Sequence, residues 1–285
     1  MGGYNRYMMI LHRRPVVAGM FYPGSPAGLS RELTRLCGAP RSGAALDSSM
    51  GLIAPHAGYV YSGAVAGEGY AQLAARGQPE WAIILGSNHT GMGQPISIAT
   101  GGAWETPLGS SAIATEIARR LVSGVVRVAP EAFSREHSVE VQLPFLQHLF
   151  GLDVPFVPIC VMLPPIADLI ALGEAIAAVA KENVGVVIAS SDFTHYQPDE
   201  IARQIDHKAI DRILALDIEG FYRTLIEERL TICGGGAIAA VMSCARTLGW
   251  EARLVSYATS GDVIGDRSAV VGYAAISFIG GKNDK

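Results

Sequence analysis

The sequence predicts an α/β fold: a single three-layer domain whose central, largely parallel or mixed sheet carries helices on both faces. Three observations predict it. Short apolar runs alternate with longer helical patterns, which is how a sheet covered on both faces reads. Three of those runs, residues 51–54, 81–85 and 184–189, stop abruptly and release His56, His89 and the segment from Asp192 to His195. No repeat, low-complexity tract or linker divides the chain, so one domain over residues 15–285 is expected, after a poorly ordered leader over residues 1–14. Ligands of open α/β sheets bind outside the carboxyl ends of the strands. Three runs that each deliver histidine or aspartate there predict one convergent polar site.

Composition sets the bounds. The chain has 285 residues, enough for one large core. Apolar residues make up 49% and charged residues 17%, which excludes disorder. A net charge of −4 argues against a nucleic-acid partner, which would show as a basic face. No apolar run approaches the ~20 residues that span a bilayer, and no signal-peptide pattern opens the chain. The four cysteines, Cys37, Cys160, Cys233 and Cys244, form no CxxC pair, so a reducing cytoplasm is expected rather than a disulfide framework. Nothing in the sequence fixes the oligomeric state.

Each element has a local reason. Residues 15–24 are extended and turn-rich. Ser25 then caps a helix with Pro26 at its first position, Leu29, Leu33 and Leu36 on one face and an end near Gly38. A loop over 39–49 leads to the first strand. Residues 64–75 read as a small-residue helix stopped by Gly77. After the strand at 81–85 come His89, a glycine-rich bend at 91–93 and a strand at 95–99. Residues 101–108 read as a loop, and Ser110 or Ser111 caps a helix bearing Ile113, Ile117 and Leu121. Residues 139–150 carry a helical stripe with Pro144 inside it, which must start a new helix or kink one. A strand at 154–162, a helix at 166–181 and the strand at 184–189 follow. Residues 198–216 form a more polar helix, and Asp217 caps the next, at 218–228. The glycine turn at 231–236 opens onto a helix at 237–248 that Gly249 closes. Strands at 253–259 and 269–278, joined by a turn-rich 261–267, complete the chain.

A lone histidine after a strand is more often a packing or capping residue than a ligand. Three of them at strand ends, in a chain with only seven, weaken that reading. Cys233 stands directly before a helix N-terminus, whose partial positive charge favours an anionic sulfur; an inert thiol before a glycine turn is the alternative. Cys37, Cys160 and Cys244 fall within helical or strand patterns and read as packing. Glycines 234–236 match neither GxGxxG nor a P-loop and have no following lysine, which argues against a phosphate cradle. Ser190 or Ser191 could join Asp192 and a histidine in a triad, but neither lies in a G-x-S-x-G elbow.

Five motifs together carry a resemblance. They are Ala54-Pro-His-Ala-Gly-Tyr59, Ile84-Leu-Gly-Ser-Asn-His89, Glu136-His-Ser-Val-Glu140, Ser190-Ser-Asp-Phe-Thr-His195 and Thr231-Ile-Cys-Gly234. With them the chain resembles the Memo family, whose fold is like that of the class III extradiol ring-cleaving dioxygenases. The resemblance implies a metal bound by His56, His89 and Cys233, where the dioxygenases have a carboxylate as third ligand. It places Asp192 and His195 in the same pocket, His195 in the position of the acid/base histidine. It makes Tyr59, His137 and Glu140, which lie in matching motifs, candidates for the substrate pocket. The sequence departs from the pattern at residues 87–90, where some relatives carry a second histidine; only His89 can ligate here.

Two imidazoles and a sulfur on one face leave positions open for substrate, water or dioxygen, as in non-haem Fe(II) oxygenases. The expectation is therefore an Fe(II) enzyme of extradiol type acting on a small, catecholic molecule and O₂. Sulfur also suits zinc or copper. A zinc hydrolase at the same site is the second expectation. A non-enzymatic adaptor module is the third, although no arginine cluster marks a phosphate pocket.

Overall fold

The structure, a computed structural model, describes residues 12–40 and 44–280. Along the chain run β1 (His12–Arg13), α1 (Pro26–Cys37), β2 (Met50–Ala54), α2 (Tyr59–Arg76), β3 (Ala82–Ser87), β4 (Ile96–Ile98), β5 (Ala103–Thr106) and β6 (Gly109–Ala112). Next come α3 (Thr115–Leu121), β7 (Arg127–Val128), α4 (Leu143–Phe150), β8 (Phe156–Val161), α5 (Ile166–Glu182), β9 (Val186–Ser190) and β10 (His195–Gln197). The chain finishes with α6 (Asp199–Leu214), α7 (Ile218–Glu227), α8 (Gly235–Leu248), β11 (Trp250–Thr259), α9 (Ser260–Ile264) and β12 (Val270–Gly280).

The main sheet is mixed. Its order is β10-β12-β2-β9-β3-β8-β4-β7, with β11 also paired to β12. The centre, β2, β9, β3 and β8, is parallel, while β12, β11 and β10 add an antiparallel edge. β2, β3, β8 and β9 are buried along their whole length, as strands covered on both faces must be. On one side α2 packs on β2, β11 and β12, backed by α1 and α4. On the other, α8 packs on β2, β3, β9 and β12, with α5 and α7 against it. The expected three-layer α/β domain is the observed one. No helix among the described residues is long and apolar enough to cross a membrane.

The local signals held where a specific cap or stop residue stood. The Ser25 hydroxyl accepts the Gly28 N–H, Asp217 accepts the Gly220 N–H, and Gly249 ends α8 in the left-handed region at φ 67°. Pro144 sits in the first turn of α4 and so starts a helix rather than kinking one. Three expectations failed. Residues 101–108 are not a loop: β5 and β6 form a hairpin that pairs with β1 in a small second sheet. Ser110 and Ser111 lie in β6, and α3 begins only at Thr115. The turn-rich stretch after β11 contains the short helix α9, held by a capping box between Thr259 and Asp262.

His12 and Arg13, expected within the leader, form β1. Residues 1–11 lie outside the described residues, but Arg13 is 5% exposed and built into the interior. Its guanidinium donates to Glu140 Oε2 at 2.6 Å and to the Phe133 carbonyl at 2.7 Å, and lies 4.2 Å above the Trp104 ring.

Candidate metal centre

β2, β9 and β3 are adjacent, and their ends are level: Ala54 faces Ser190 and Leu85 faces Ala189. Each strand is apolar until it ends, and each releases its functional side chain two residues later: His56 after Ala54, His89 after Ser87 and Asp192 after Ser190. Equal offsets on neighbouring parallel strands bring all three to one place.

Each histidine is oriented through Nδ1. The Ser190 hydroxyl donates to the Ser138 carbonyl at 2.7 Å and accepts from Gln142 Nε2 at 2.7 Å. It is therefore left as an acceptor for His56 Nδ1–H, 3.0 Å away. His89 Nδ1 lies 2.9 Å from Glu136 Oε1, and its backbone N–H donates to Glu136 Oε2 at 2.7 Å. Both rings thus keep Nε2 as a lone-pair donor, the tautomer that a partner on the other nitrogen imposes on metal-binding histidines. Burial alone would raise the Glu136 carboxyl. The bonds it accepts from His89 and Ser138 outweigh that and hold its pKa at about 2. In the metal-free protein burial would lower His89, but contacts with Cys233 and Glu136 outweigh it and push His89 up to about 9.

Cys233 lies beside His56. Its Sγ lies 3.2 Å from His56 Nε2 and accepts the Asp192 N–H at 3.3 Å. The glycines that follow allow this approach. A Cβ at Gly234 would lie 2.5 Å from Ser191 Cβ, and one at Gly236 would lie 2.2 Å from the Met162 carbonyl oxygen. The glycine turn therefore serves close packing of the start of α8 onto the strand ends. The other three cysteines are buried, and burial pushes the Cys37 and Cys244 thiols up to about 12.

Asp192 and His195 share one cavity with His56, His89 and His137, about 510 Å³ in volume. Asp192 Oδ1 accepts the backbone N–H groups of His56 at 2.8 Å and Ala57 at 3.2 Å, while Oδ2 lies 4.0 Å from His56 Nε2. The carboxylate thus fixes the loop that carries His56. His195 Nδ1 lies 2.7 Å from the Phe193 carbonyl and 2.9 Å from the Thr231 carbonyl. Carbonyls only accept, so Nδ1 carries the proton and Nε2 is a base. A bulge between His195 and Gln197 in the pairing with β12 leaves Tyr196 as the extra residue, at φ 62°. A tyrosine in the left-handed region costs about 1–3 kcal/mol, and such strain gathers at functional sites.

His137 belongs to the cluster. Its ring stacks on His89 at 4.6 Å and meets His56 edge-on at 5.4 Å. Burial first, and then the neighbouring His56 and His89 charges, hold its pKa at about 4. The other two pocket candidates do not line the cavity. Tyr59 is buried, and its hydroxyl donates to the Val141 carbonyl at 2.8 Å. Glu140 is fully buried and accepts from Arg13, the Val16 and Val17 N–H groups and the Tyr22 hydroxyl. Both hold the N-terminal segment and α2 in place. The residue that sequence reasoning left without a role is Glu136, which orients His89.

The residues present fit a metal ion. One ligand atom each from His56, His89 and His137 lie within 4.8 Å of one another, and the Cys233 sulfur borders the same group. The imidazoles are oriented through Nδ1 and sited beside open cavity.

Comparisons with known proteins bear on the family and the fold. The family described as Memo-like protein matches residues 13–277. A MEMO1 family protein of Methanopyrus kandleri is 44% identical over 281 residues, covering 94% of this chain and 99% of its own. A MEMO1 family protein of Desulfurococcus amylolyticus is 43% identical over 278 residues, covering 93% and 98%. Among solved structures, an uncharacterized protein of Escherichia coli K12 matches with a TM-score of 0.56 at 15% identity, over 80% of this chain and 99% of its own. That likeness concerns the fold.

Proposed function

The chain belongs to the Memo-like family, and from that membership and the geometry of the site we propose a non-haem iron enzyme of extradiol type that opens catecholic rings with dioxygen. The observation that carries the proposal is His195. It is a base with Nδ1–H tied to two carbonyls, and it lines the same cavity as His56 and His89, with the Cys233 sulfur 3.2 Å from His56 Nε2.

Held by His56, His89 and Cys233, Fe(II) would supply open positions for the catechol oxygens and for O₂. The reaction breaks the ring bond beside a hydroxylated carbon and places both atoms of O₂ in the ring-opened product. The substrate supplies all the electrons that O₂ accepts, so no further reductant enters. His195 Nε2 takes the proton of one hydroxyl and returns it as the ring opens. Asp192 Oδ2, on the cavity wall, accepts a hydrogen bond from the substrate. Glu136 and Ser190 hold the two imidazoles in place. Sulfur in place of the dioxygenases' carboxylate also suits zinc or copper, and a zinc-bound water would make the same cavity a hydrolase.

The test is protein purified anaerobically, reconstituted with Fe(II) and exposed to air with a panel of catechols. Ring-opened product followed by absorbance is the expected result. Iron retained with no product from any catechol would refute the reaction, and ester hydrolysis by the zinc-loaded form would put a hydrolase in its place.

A further inference from the structure

The cavity is larger than one aromatic ring requires. At about 510 Å³ it falls in the range, about 300–1,000 Å³, that buries drug-sized ligands. The histidines and Asp192 occupy only part of its wall. Apart from Ser260, the rest is aromatic and aliphatic, including Phe21, Tyr61 and Tyr273. Four further lining residues are unusually exposed: Met20 at 72%, Val60 at 67%, Tyr196 at 77% and Ile264 at 56%. Exposed apolar residues scattered singly are ordinary, but several gathered around one opening mark a binding surface. They come from four separate segments: the loop before α1, the first turn of α2, the bulge in β10 and the last residue of α9. Tyr196 is held there in a left-handed conformation that a tyrosine rarely adopts.

Charge points the same way. Among the described residues no lysine or arginine lines the cavity, and its one carboxylate is Asp192. A ring carrying a carboxylate would lose water on entry without the guanidinium or ammonium partner that such a group needs. It would also face the negative charge of Asp192.

Resting on the catecholic reading above, we propose that the cavity selects an uncharged catechol with an apolar substituent of aryl or branched-alkyl size. The hydroxyls lie toward His195 and Asp192, and the substituent lies against Val60, Tyr196 and Ile264. Anionic catechols are rejected. These three residues set specificity and take no part in the reaction.

Binding can be read without turnover. Protein loaded with Zn(II) under argon would be titrated calorimetrically with catechol, 2,3-dihydroxybiphenyl and 2,3-dihydroxybenzoate. Burying a second ring should tighten binding roughly tenfold or more over catechol, and the benzoate should bind more weakly than catechol. Val60→Ser should shrink the biphenyl advantage. Ile264→Arg, at an exposed helix end that favours a cation, should bring the benzoate to or above catechol. Benzoate binding as tightly as the biphenyl in the wild type would overturn the proposal. So would no binding by any of the three, or ratios unchanged in both variants. The same panel with the iron form under air separates this proposal from the reaction. Preferential biphenyl binding without cleavage leaves the specificity standing and removes the dioxygenase. Cleavage with a preference for the benzoate does the reverse.

Discussion

His195 and Glu136 separate two duties within the site. Among the described residues His195 makes no hydrogen bond to His56, His89 or Cys233, and its Nδ1 is anchored to the backbone. His195→Ala should therefore keep nearly full metal while losing about 10²–10⁴-fold in rate, read by elemental analysis beside turnover; metal loss as complete as in His56→Ala would contradict this division. Glu136 accepts from both the ring and the backbone N–H of His89. Glu136→Gln should weaken metal affinity about 10–100-fold, measured by competition with a chelator. These residues also mark what could be read in advance. The convergence of His56, His89, Cys233 and Asp192 was legible because each follows a strand or precedes a helix. Tyr59 and Glu140 were misplaced because belonging to a motif does not say which side of the backbone a side chain takes. Glu136 was overlooked for the same reason: a buried carboxylate that orients a neighbour carries no local signal.

At the scale of elements, boundaries set by one residue's chemistry were legible, and those set by tertiary contact were not. α2 begins at Tyr59, earlier than the small-residue pattern from residue 64 implies, because the Tyr59 side chain finds burial and a carbonyl partner there. The β5–β6 hairpin has little alternation of its own and exists by pairing with β1. Around β10, α6 and α9, charge does the joining. Asp199 accepts from Arg203 at 2.9 Å and Arg267 at 2.6 Å, and both arginines also donate to Asp262. The Arg203 bond, helped by Thr259 and Arg267 against an opposing effect of burial, holds the Asp199 carboxyl at about 2. An unfolded aspartate titrates near pH ~3.9. The depressed folded value means that this contribution is present above about pH 4 and lost as pH falls towards 2. Urea midpoints across that window should fall for the wild type and fall less for Asp199→Asn; parallel curves would show that the cluster is not linked to folding.

For the whole molecule, the alternation of runs along the chain was enough to give the three-layer architecture, because a strand buried on both faces has no other stable surroundings. The part played by Arg13 was not legible, since two basic residues near a chain end look like any solvated tail. In the fold it pairs with Glu140 inside the protein, with side chains 4% and 0% exposed, and ties the N-terminal segment to the residues just after Glu136 and His137. Removing one partner of a buried pair leaves the other charged and unpaired, which typically destabilises by about 3–5 kcal/mol. Glu140→Gln should show a loss of that order in denaturant unfolding, while metal content in the folded fraction stays near wild type. A loss of metal without a loss of stability would return Glu140 to the site.

The claim on which the rest stands is that His56, His89 and Cys233 hold one metal ion. The direct measurement is elemental analysis of anaerobically purified, Fe(II)-reconstituted wild type beside Cys233→Ala and Cys244→Ala, with circular dichroism as the check on folding. Cys244 is buried mid-helix in α8, away from the cluster. Stoichiometric iron is expected in the wild type and in Cys244→Ala, and severe loss in a folded Cys233→Ala. Iron at wild-type occupancy in Cys233→Ala would contradict that claim and move the centre to the three histidines alone.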